Sequence, residues 1–281
     1  MKAFSKGRYS ARVTTNSRDI EAAQKLRYRA FSQVGRPTDA QALDRDRYDL
    51  VCTHMLIEDR VSGGLVCCFR MLPICDSTPL SDSYSGQFYH LSALEKFHGR
   101  MVEIGRFCVS PAVNDPDILR LAWAIMSRYV DQNNIRFLFG CSSFAGLDAA
   151  RYLDVFALLK TRYLAPERWR PRKKASDVFH FANRLDRLDI KLAMARLPPL
   201  LKTYLMMGGW VSDHAVVDHQ MGTLHVFTGV KTGRFRLRAS GYCAQWCHED
   251  AALTFVVQRG SGSYGTHSFV TTQRYFSDLW R

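Results

Sequence analysis

The chain has 281 residues, 47% hydrophobic and 23% charged, the make-up of a folded protein with room for one large domain or a domain and an appendage. Its formal charge of +13 points to an acidic partner, without choosing among acyl carrier protein, nucleic acid and an anionic lipid surface. No apolar run approaches the roughly 18–20 residues of a membrane span, and the basic start lacks the apolar stretch of a secretory signal, so the expectation is a soluble, cytoplasmic chain.

Residues 17–33 predict an amphipathic helix, with Ile20, Ala23, Leu26, Ala30 and Phe31 near helical spacing and Asn16 or Ser17 as its cap. A polar segment holding Gly35, Pro37 and Asp39 follows. Residues 54–58 and 65–72 read as two strands joined by a turn at 59–64. The stretch 101–109 is another strand, ended by Ser110-Pro111. Then come a helix at 119–130, a strand at 135–141 and a helix at 147–163. Residues 185–196 are amphipathic, Pro198-Pro199 breaks the pattern, 200–207 resumes it, and 222–230 alternates like a strand. From 231 to 281 the text changes to scattered Arg, Ser, Gly and Thr, and no structure is predicted there. This order is α/β, with a mixed central sheet flanked by helices.

The eight cysteines sit mostly in apolar runs and read as packed thiols, which suits a reducing compartment. Cys243-x-x-x-Cys247-His248 has no second ligand pair, so no metal is expected. Basic residues cluster at Arg162, Arg168, Arg170, Arg172, Lys173 and Lys174 around Trp169. Zinc-finger spacing, an aromatic RNA-binding signature and a helix-turn-helix are all lacking, which leaves nucleic acid the weaker partner.

The sharpest feature is Met101-Val102-Glu103-Ile104-Gly105-Arg106-Phe107-Cys108-Val109, a carboxylate and a guanidinium three residues apart in an apolar strand. Burying an unpaired charge costs several kcal/mol or more, so each needs a partner or a substrate. Residues three apart on a regular strand face opposite sides, so both reach one pocket only through a bulge, which Gly105 makes cheapest. Upstream, Arg27 and Phe31 share a helix face, Asp46 and Asp49 lie in a polar stretch, and Arg70 ends an apolar run.

In that order these residues resemble the acyl-homoserine-lactone synthases, through Arg27 with Phe31, Asp46 with Asp49, Arg70 to Pro73, Phe88, and Glu103 with Arg106 and Phe107. That family's Trp shortly after the Phe is absent, the text being Phe31-Ser32-Gln33-Val34-Gly35. A resemblance over about residues 10–230 is to the bacterial ornithine N-acyltransferases of ornithine-lipid synthesis. It is carried by Phe139-Gly140-Cys141-Ser142-Ser143-Phe144, Leu197-Pro198-Pro199-Leu200-Leu201-Lys202-Thr203-Tyr204-Leu205, Gly208-Gly209-Trp210-Val211, Val217-Asp218-His219 and Leu224-His225-Val226-Phe227-Thr228-Gly229-Val230. It implies a GNAT-like domain at 10–230, followed by an atypical extension at 231–281 that reads as a frame-shifted or extended end. The implied reaction moves a 3-hydroxyacyl group from acyl carrier protein to the α-amine of L-ornithine, giving lyso-ornithine lipid, the first step of ornithine-lipid synthesis.

On this reading Glu103 is the base and Arg106 its catalytic companion, while Arg27, Phe31, Asp46, Asp49, Arg70 and Phe88 bind substrate. The expected donor is a carrier protein and no cofactor is needed, because residues 110–117 offer two prolines, two aspartates and no glycine where a coenzyme pyrophosphate would need a cradle. Residues 197–210 read either as an apolar helix on the core or as a segment in an anionic membrane interface, which would make the enzyme peripheral to the inner membrane. The alternatives are a lactone synthase and, from another class, a non-catalytic basic protein that binds nucleic acid or membrane.

Overall fold

The computed structural model describes residues 3–31, 42–75, 78–182 and 189–232. The segment holding Gly35, Pro37 and Asp39, the Cys243, Cys247 and His248 group, and all of the expected extension but Lys231 and Thr232 lie outside the described residues. Strands β1 (Phe4–Lys6) and β2 (Tyr9–Thr14) form a hairpin. Helix α1 (Ser17–Phe31) begins where the Asn16 side chain accepts the Arg18 N–H at 2.9 Å, satisfying one of the donors that a helix start leaves bare. Next come β3 (Thr53–Asp59), β4 (Leu65–Ile74), β5 (Tyr89–His90), α2 (Ser92–Glu95) and β6 (Arg100–Val109). Helix α3 (Pro116–Gln132), β7 (Ile135–Ala145), α4 (Leu153–Arg162), β8 (Arg172–Lys173) and β9 (Val178–Phe179) follow. The described chain closes with α5 (Ile190–Arg196), α6 (Pro199–Met206), β10 (Trp210–Val211), β11 (Ala215–Asp218) and β12 (Thr223–Lys231).

One ten-stranded sheet runs β1-β2-β3-β4-β6-β7-β12-β11-β9, with β10 also on β12; β5 and β8 pair separately. Among the described strands only β6 and β7 pair in parallel, joined through α3. On one face α3 covers Met55, Ile57, Phe69, Met71, Val102 and Ile104, and α4 and α6 cover Phe144, Leu224 and Val226. On the other, α1 packs over Leu56, Cys68 and Cys108, while the segment from Leu80 to Phe97 covers Phe137, Phe139 and Phe227. Helices on both faces of a mixed sheet are the expected architecture.

Two of the expected elements take another form, and the short elements β1, β2, β5, α2 and β8 to β11 were not expected. The region 147–163 is a 3-10 turn, Ala149–Tyr152, followed by α4, because Asp148 caps the Ala150 N–H at 2.9 Å and starts its own turn. Strand β7 runs on to Ala145, since Ser142 and Phe144 alternate inward. Leu197, Leu201, Leu205 and Trp210 are buried in the core. At about 1.5–3 kcal/mol for each large apolar side chain, that burial holds residues 197–210 on the sheet. Among the described residues no helix is long and apolar enough to cross a membrane.

Among the described strands, the ladder between β6 and β7 stops short. The β6–β7 ladder ends at Glu103↔Phe139, although β6 continues to Val109 against β4 and β7 continues to Ala145 against β12. The two strands therefore diverge into a fork. Gly140 stands at its root, where a Cβ would run into the Ile104 carbonyl oxygen. A bulge accompanies the fork: Cys68 faces Cys108 and Arg70 faces Gly105, so Phe69 opposes both Arg106 and Phe107. The bulge anticipated at Gly105 is centred one residue later, on Arg106 at φ 52°. A left-handed backbone costs a non-glycine residue about 1–2 kcal/mol, so its side chain must be held firmly.

Candidate active site

The hold on Arg106 is an ion-pair lattice. Arg27, from α1, donates through Nε to Asp44 at 2.8 Å and through both Nη atoms to Asp49 at 2.7 and 2.9 Å, and it also reaches the Asp44 carbonyl. Arg70, on β4, grips both Asp46 oxygens at 2.6 Å and donates to Asp49 at 2.8 Å. Arg106 donates to Asp44 at 3.1 Å and lies 3.3 Å from Asp46. Three guanidiniums thus meet three carboxylates and the charges cancel. Asp46 and Asp49 also form the capping box of the 3-10 turn Arg47–Leu50, which fixes where both acids point.

Burial pushes the Asp46 carboxyl up, but the bonds and charge of Arg70 outweigh it and leave it below the usual range. Asp49 is likewise lowered, burial being outweighed by Arg27. Arg27, Arg70 and Asp49 are almost wholly buried, and only Asp44, Asp46 and Arg106 keep an edge exposed.

Glu103, at the root of the fork, is 4% exposed and forms no ion pair with Arg70 or Arg106. Its carboxylate instead accepts the Tyr84 N–H at 2.8 Å, and the Ser85 N–H and hydroxyl at 2.6 Å each. Burial raises its pKa, and the Ser85 and Tyr84 bonds only partly offset this. Three of about four acceptor positions are filled, leaving one on Oε2. Beside it is a cavity of about 10 Å³ lined by Tyr48, Cys52, Arg70, Leu72, Tyr84, Glu103 and Gly105, space for about one water. The Tyr84 ring caps this corner, with the Arg106 guanidinium 5.0 Å and the Phe88 ring 5.4 Å from it.

The structure brings together Arg27, Asp46, Asp49, Arg70 and Arg106. It separates the two aromatics from that lattice. Phe31 packs with Ala23, Leu26, Leu56, Cys68 and Cys108, and Phe88 meets His225 edge-on at 4.8 Å. Asp44, Tyr84 and Ser85 were missed by the sequence reading. Asp44 had a signal, since three buried arginines call for three acids. Tyr84 and Ser85 had none, because they join Glu103 only through the fold.

The far arm of the fork is polar as well. Asp218, on β11, is 5% exposed; it accepts the Met221 N–H at 3.0 Å, and the Tyr84 hydroxyl stands 3.4 Å from its Oδ2. His225, on β12, meets the Tyr89 hydroxyl through Nδ1 at 3.2 Å, while its Nε2 is buried with no hydrogen-bond partner among the described residues. Burial lowers the His225 pKa to about 4.

At the start of α3, Asp115 accepts the Asp117 N–H at 2.9 Å and the Tyr9 hydroxyl at 2.8 Å. The place where a helix N-terminus could take an external anion already holds an internal carboxylate.

Residues 26–124 match the model of the acetyltransferase (GNAT) domain. The chain is 29% identical to the L-ornithine N(alpha)-acyltransferase of Rhodobacter capsulatus, over 78% of this chain and 88% of that one. It is 28% identical to the enzyme of the same name from Brucella abortus, over 84% and 89%. Among solved structures, an N-acyl amino acid synthase from uncultured soil microbes is 12% identical, covers 83% of this chain and 98% of its own, and gives a TM-score of 0.45.

Proposed function

We propose that this chain, an acyltransferase of the GNAT fold and a relative of L-ornithine N(alpha)-acyltransferases, moves a 3-hydroxyacyl group from acyl carrier protein to the α-amine of L-ornithine. The observation that carries the proposal is Glu103. It is a buried carboxylate of raised pKa at the root of a strand fork, with one acceptor position facing a water-sized cavity.

In the proposed mechanism the thioester lies in the fork. There Ile104 to Val109 and Gly140 to Ala145 carry main-chain groups that do not bond across to each other. Glu103, directly or through one water, takes a proton from the α-ammonium. The freed amine attacks the thioester carbonyl, forming the C–N bond. Main-chain N–H groups of the fork and the Arg106 charge stabilise the tetrahedral oxyanion. Its collapse breaks the C–S bond; the nitrogen gives up its second proton, the carrier thiolate leaves and takes up that proton, and Glu103 releases the first to solvent. Arg27, Asp46, Asp49 and Arg70 hold Arg106 and the floor of the acceptor site, with Asp46 at its accessible edge. Phe31 and Phe88 supply apolar walls on either side.

Two features support a carrier-protein donor. The α3 N-terminus is filled by Asp115, which leaves a coenzyme pyrophosphate poorly served. The basic run Arg172, Lys173 and Lys174 is exposed and joined to the Tyr84–Phe88 segment: Lys174 Nζ donates to the Gly86 carbonyl at 2.5 Å and the Ala175 N–H to Phe88 at 3.0 Å. An acidic carrier would be steered to that edge. The test is transfer from a 3-hydroxyacyl carrier protein to labelled ornithine, with the acyl-coenzyme A thioester as rival donor. A carrier-dependent, lipid-soluble product supports the reading; no product from folded protein and a competent donor rejects it.

A further inference from the structure

We propose that Asp218, with the Nε2 lone pair of His225, is the binding site for the acceptor's side-chain ammonium and so selects a diamino acid over a neutral one. The inference rests on the acyl-transfer reading above and names a specificity residue for that same site.

Asp218 differs from every other acid near the fork. Asp44, Asp46 and Asp49 are each bound by arginine, and Glu103 by three N–H and O–H donors. Among the described residues no Lys, Arg or His ion-pairs with Asp218, and its Oδ2 has only the Tyr84 hydroxyl at 3.4 Å. Hydroxyl bonds to a carboxylate are usually about 2.5–3.0 Å, so that oxygen is under-satisfied. A buried carboxylate without a cation is costly, and a ligand cation removes the cost.

His225 is the second, independent observation. Tyr89 has one hydroxyl proton and gives it to the His225 carbonyl at 3.0 Å. In the tautomer that pairs Nδ1, 3.2 Å from the same oxygen, with that hydroxyl oxygen, the ring proton is on Nδ1 and Nε2 is a bare acceptor. It is buried and has no donor. A neutral imidazole acceptor and a carboxylate suit an ammonium, which offers three N–H donors and no acceptor. The two residues lie on one face of the sheet: Val216 pairs with His225 and Asp218 follows two residues on. Opposite His225 on β7 stands exposed Ser143, with half-buried Cys141 beside it, so this face opens to solvent at the fork.

The geometry also fits the reaction. Tyr84 spans the two acids: its N–H is on Glu103 and its hydroxyl is toward Asp218. One tyrosine, from main-chain nitrogen to phenol, has a reach of the same order as the α-to-δ nitrogen separation of ornithine. The α-amine is thus set at Glu103 when the side-chain ammonium takes the place of the Tyr84 hydroxyl at Asp218.

The test compares ornithine with norvaline, the same skeleton without the terminal amine, in wild type and Asp218→Asn. Asparagine keeps an oxygen for the Met221 N–H but removes the charge. The expected result is a fall of about 10²-fold or more in the ornithine-to-norvaline ratio of kcat/KM. An unchanged ratio overturns the inference, including the case where both substrates lose rate together, as a structural role would give. Asp218→Glu, whose carboxylate reaches one methylene further, is expected to shift preference toward the shorter 2,4-diaminobutanoate; no shift also counts against the site. If wild type acylates neither amino acid, the transfer reading fails and the ammonium site is judged by calorimetry with 1,4-diaminobutane. Binding by wild type that is lost in Asp218→Asn upholds the site, and absence of binding to wild type removes it.

Discussion

The two arms of the fork treat buried polar groups in opposite ways. On the β4–β6 arm the three guanidiniums and three carboxylates match in charge: Arg27, Arg70 and Arg106 close on Asp44, Asp46 and Asp49. On the β11–β12 arm, among the described residues, Asp218 has no cation and His225 has a nitrogen without a partner. The first arrangement is a brace that leaves only the exposed edge of Asp44, Asp46 and Arg106 to a ligand. The second is a demand that a ligand answers. Glu103 sits between them, held like a brace and placed like a base.

The largest expected effect separates those two roles of Glu103. Glu103→Gln should lower kcat by about 10²–10⁴-fold, the range for losing a positioned general base. In the wild type the acid limb of kcat/KM should lie above the ordinary 4.5 of a glutamate, because the pKa is raised and activity needs the ionised form. The variant should lack that limb, whereas a purely structural Glu103 would leave the pH profile in place.

Next is the brace. Arg27→Met leaves Asp49 buried without its main partner and should cost about 3–5 kcal/mol in urea unfolding. A loss under 1 kcal/mol would mean the lattice is no brace. Gly140→Ala drives a methyl into the Ile104 carbonyl at the fork's root and should cost about 1–3 kcal/mol, with weaker acyl-carrier binding. Unchanged stability and affinity would show that the fork tolerates widening.

The smallest effect is a difference in acid sensitivity. His225 has a folded pKa of about 4 against an unfolded 6.5, so the unfolded chain binds more protons between those values. Stability from this arm is full above 6.5 and falls as pH drops toward 4. Asp46 and Asp49 have lowered pKa values, so their contribution is complete above 3.8 and is lost only below it. Glu103 runs the other way, its contribution fading as pH rises through its raised pKa. His225→Phe should shrink the loss between pH 6.5 and 4 in thermal unfolding, the rest coming from buried His54, whose pKa is also lowered, and a curve that keeps its slope would place that titration elsewhere.

Part of the brace was legible because a charge set in an apolar run stands out from its immediate neighbours. Charges inside an apolar strand demand partners, so Glu103-x-x-Arg106 stood out, with Asp46 and Asp49 upstream but not Asp44, and the three-residue spacing already required a bulge. Its centre shifted from Gly105 to Arg106 because lattice bonds and the Tyr84 ring repay the left-handed backbone there. The strands and helices with strong periodicity, β4, β6, α3 and α6, fell near their expected bounds. The β1–β2 hairpin was passed over, although Tyr9, Ala11 and Thr14 face inward, because the strands are short and charged. Asp218 and His225 gave no signal as a pair with Tyr84 and Tyr89. Those partners lie more than 130 residues apart, and no period in the sequence reports a contact of that separation.

The fork has a kinetic consequence. In a sheet whose interior amides exchange with solvent slowly, the diverging stretches from Ile104 to Val109 and from Gly140 to Ala145 turn some main-chain groups toward the gap between the strands. Those amides should exchange quickly amid slow neighbours. A thioester arm laid between them would slow alternate positions on both strands before any bond is made or broken, so deuterium uptake records docking and leaves chemistry aside.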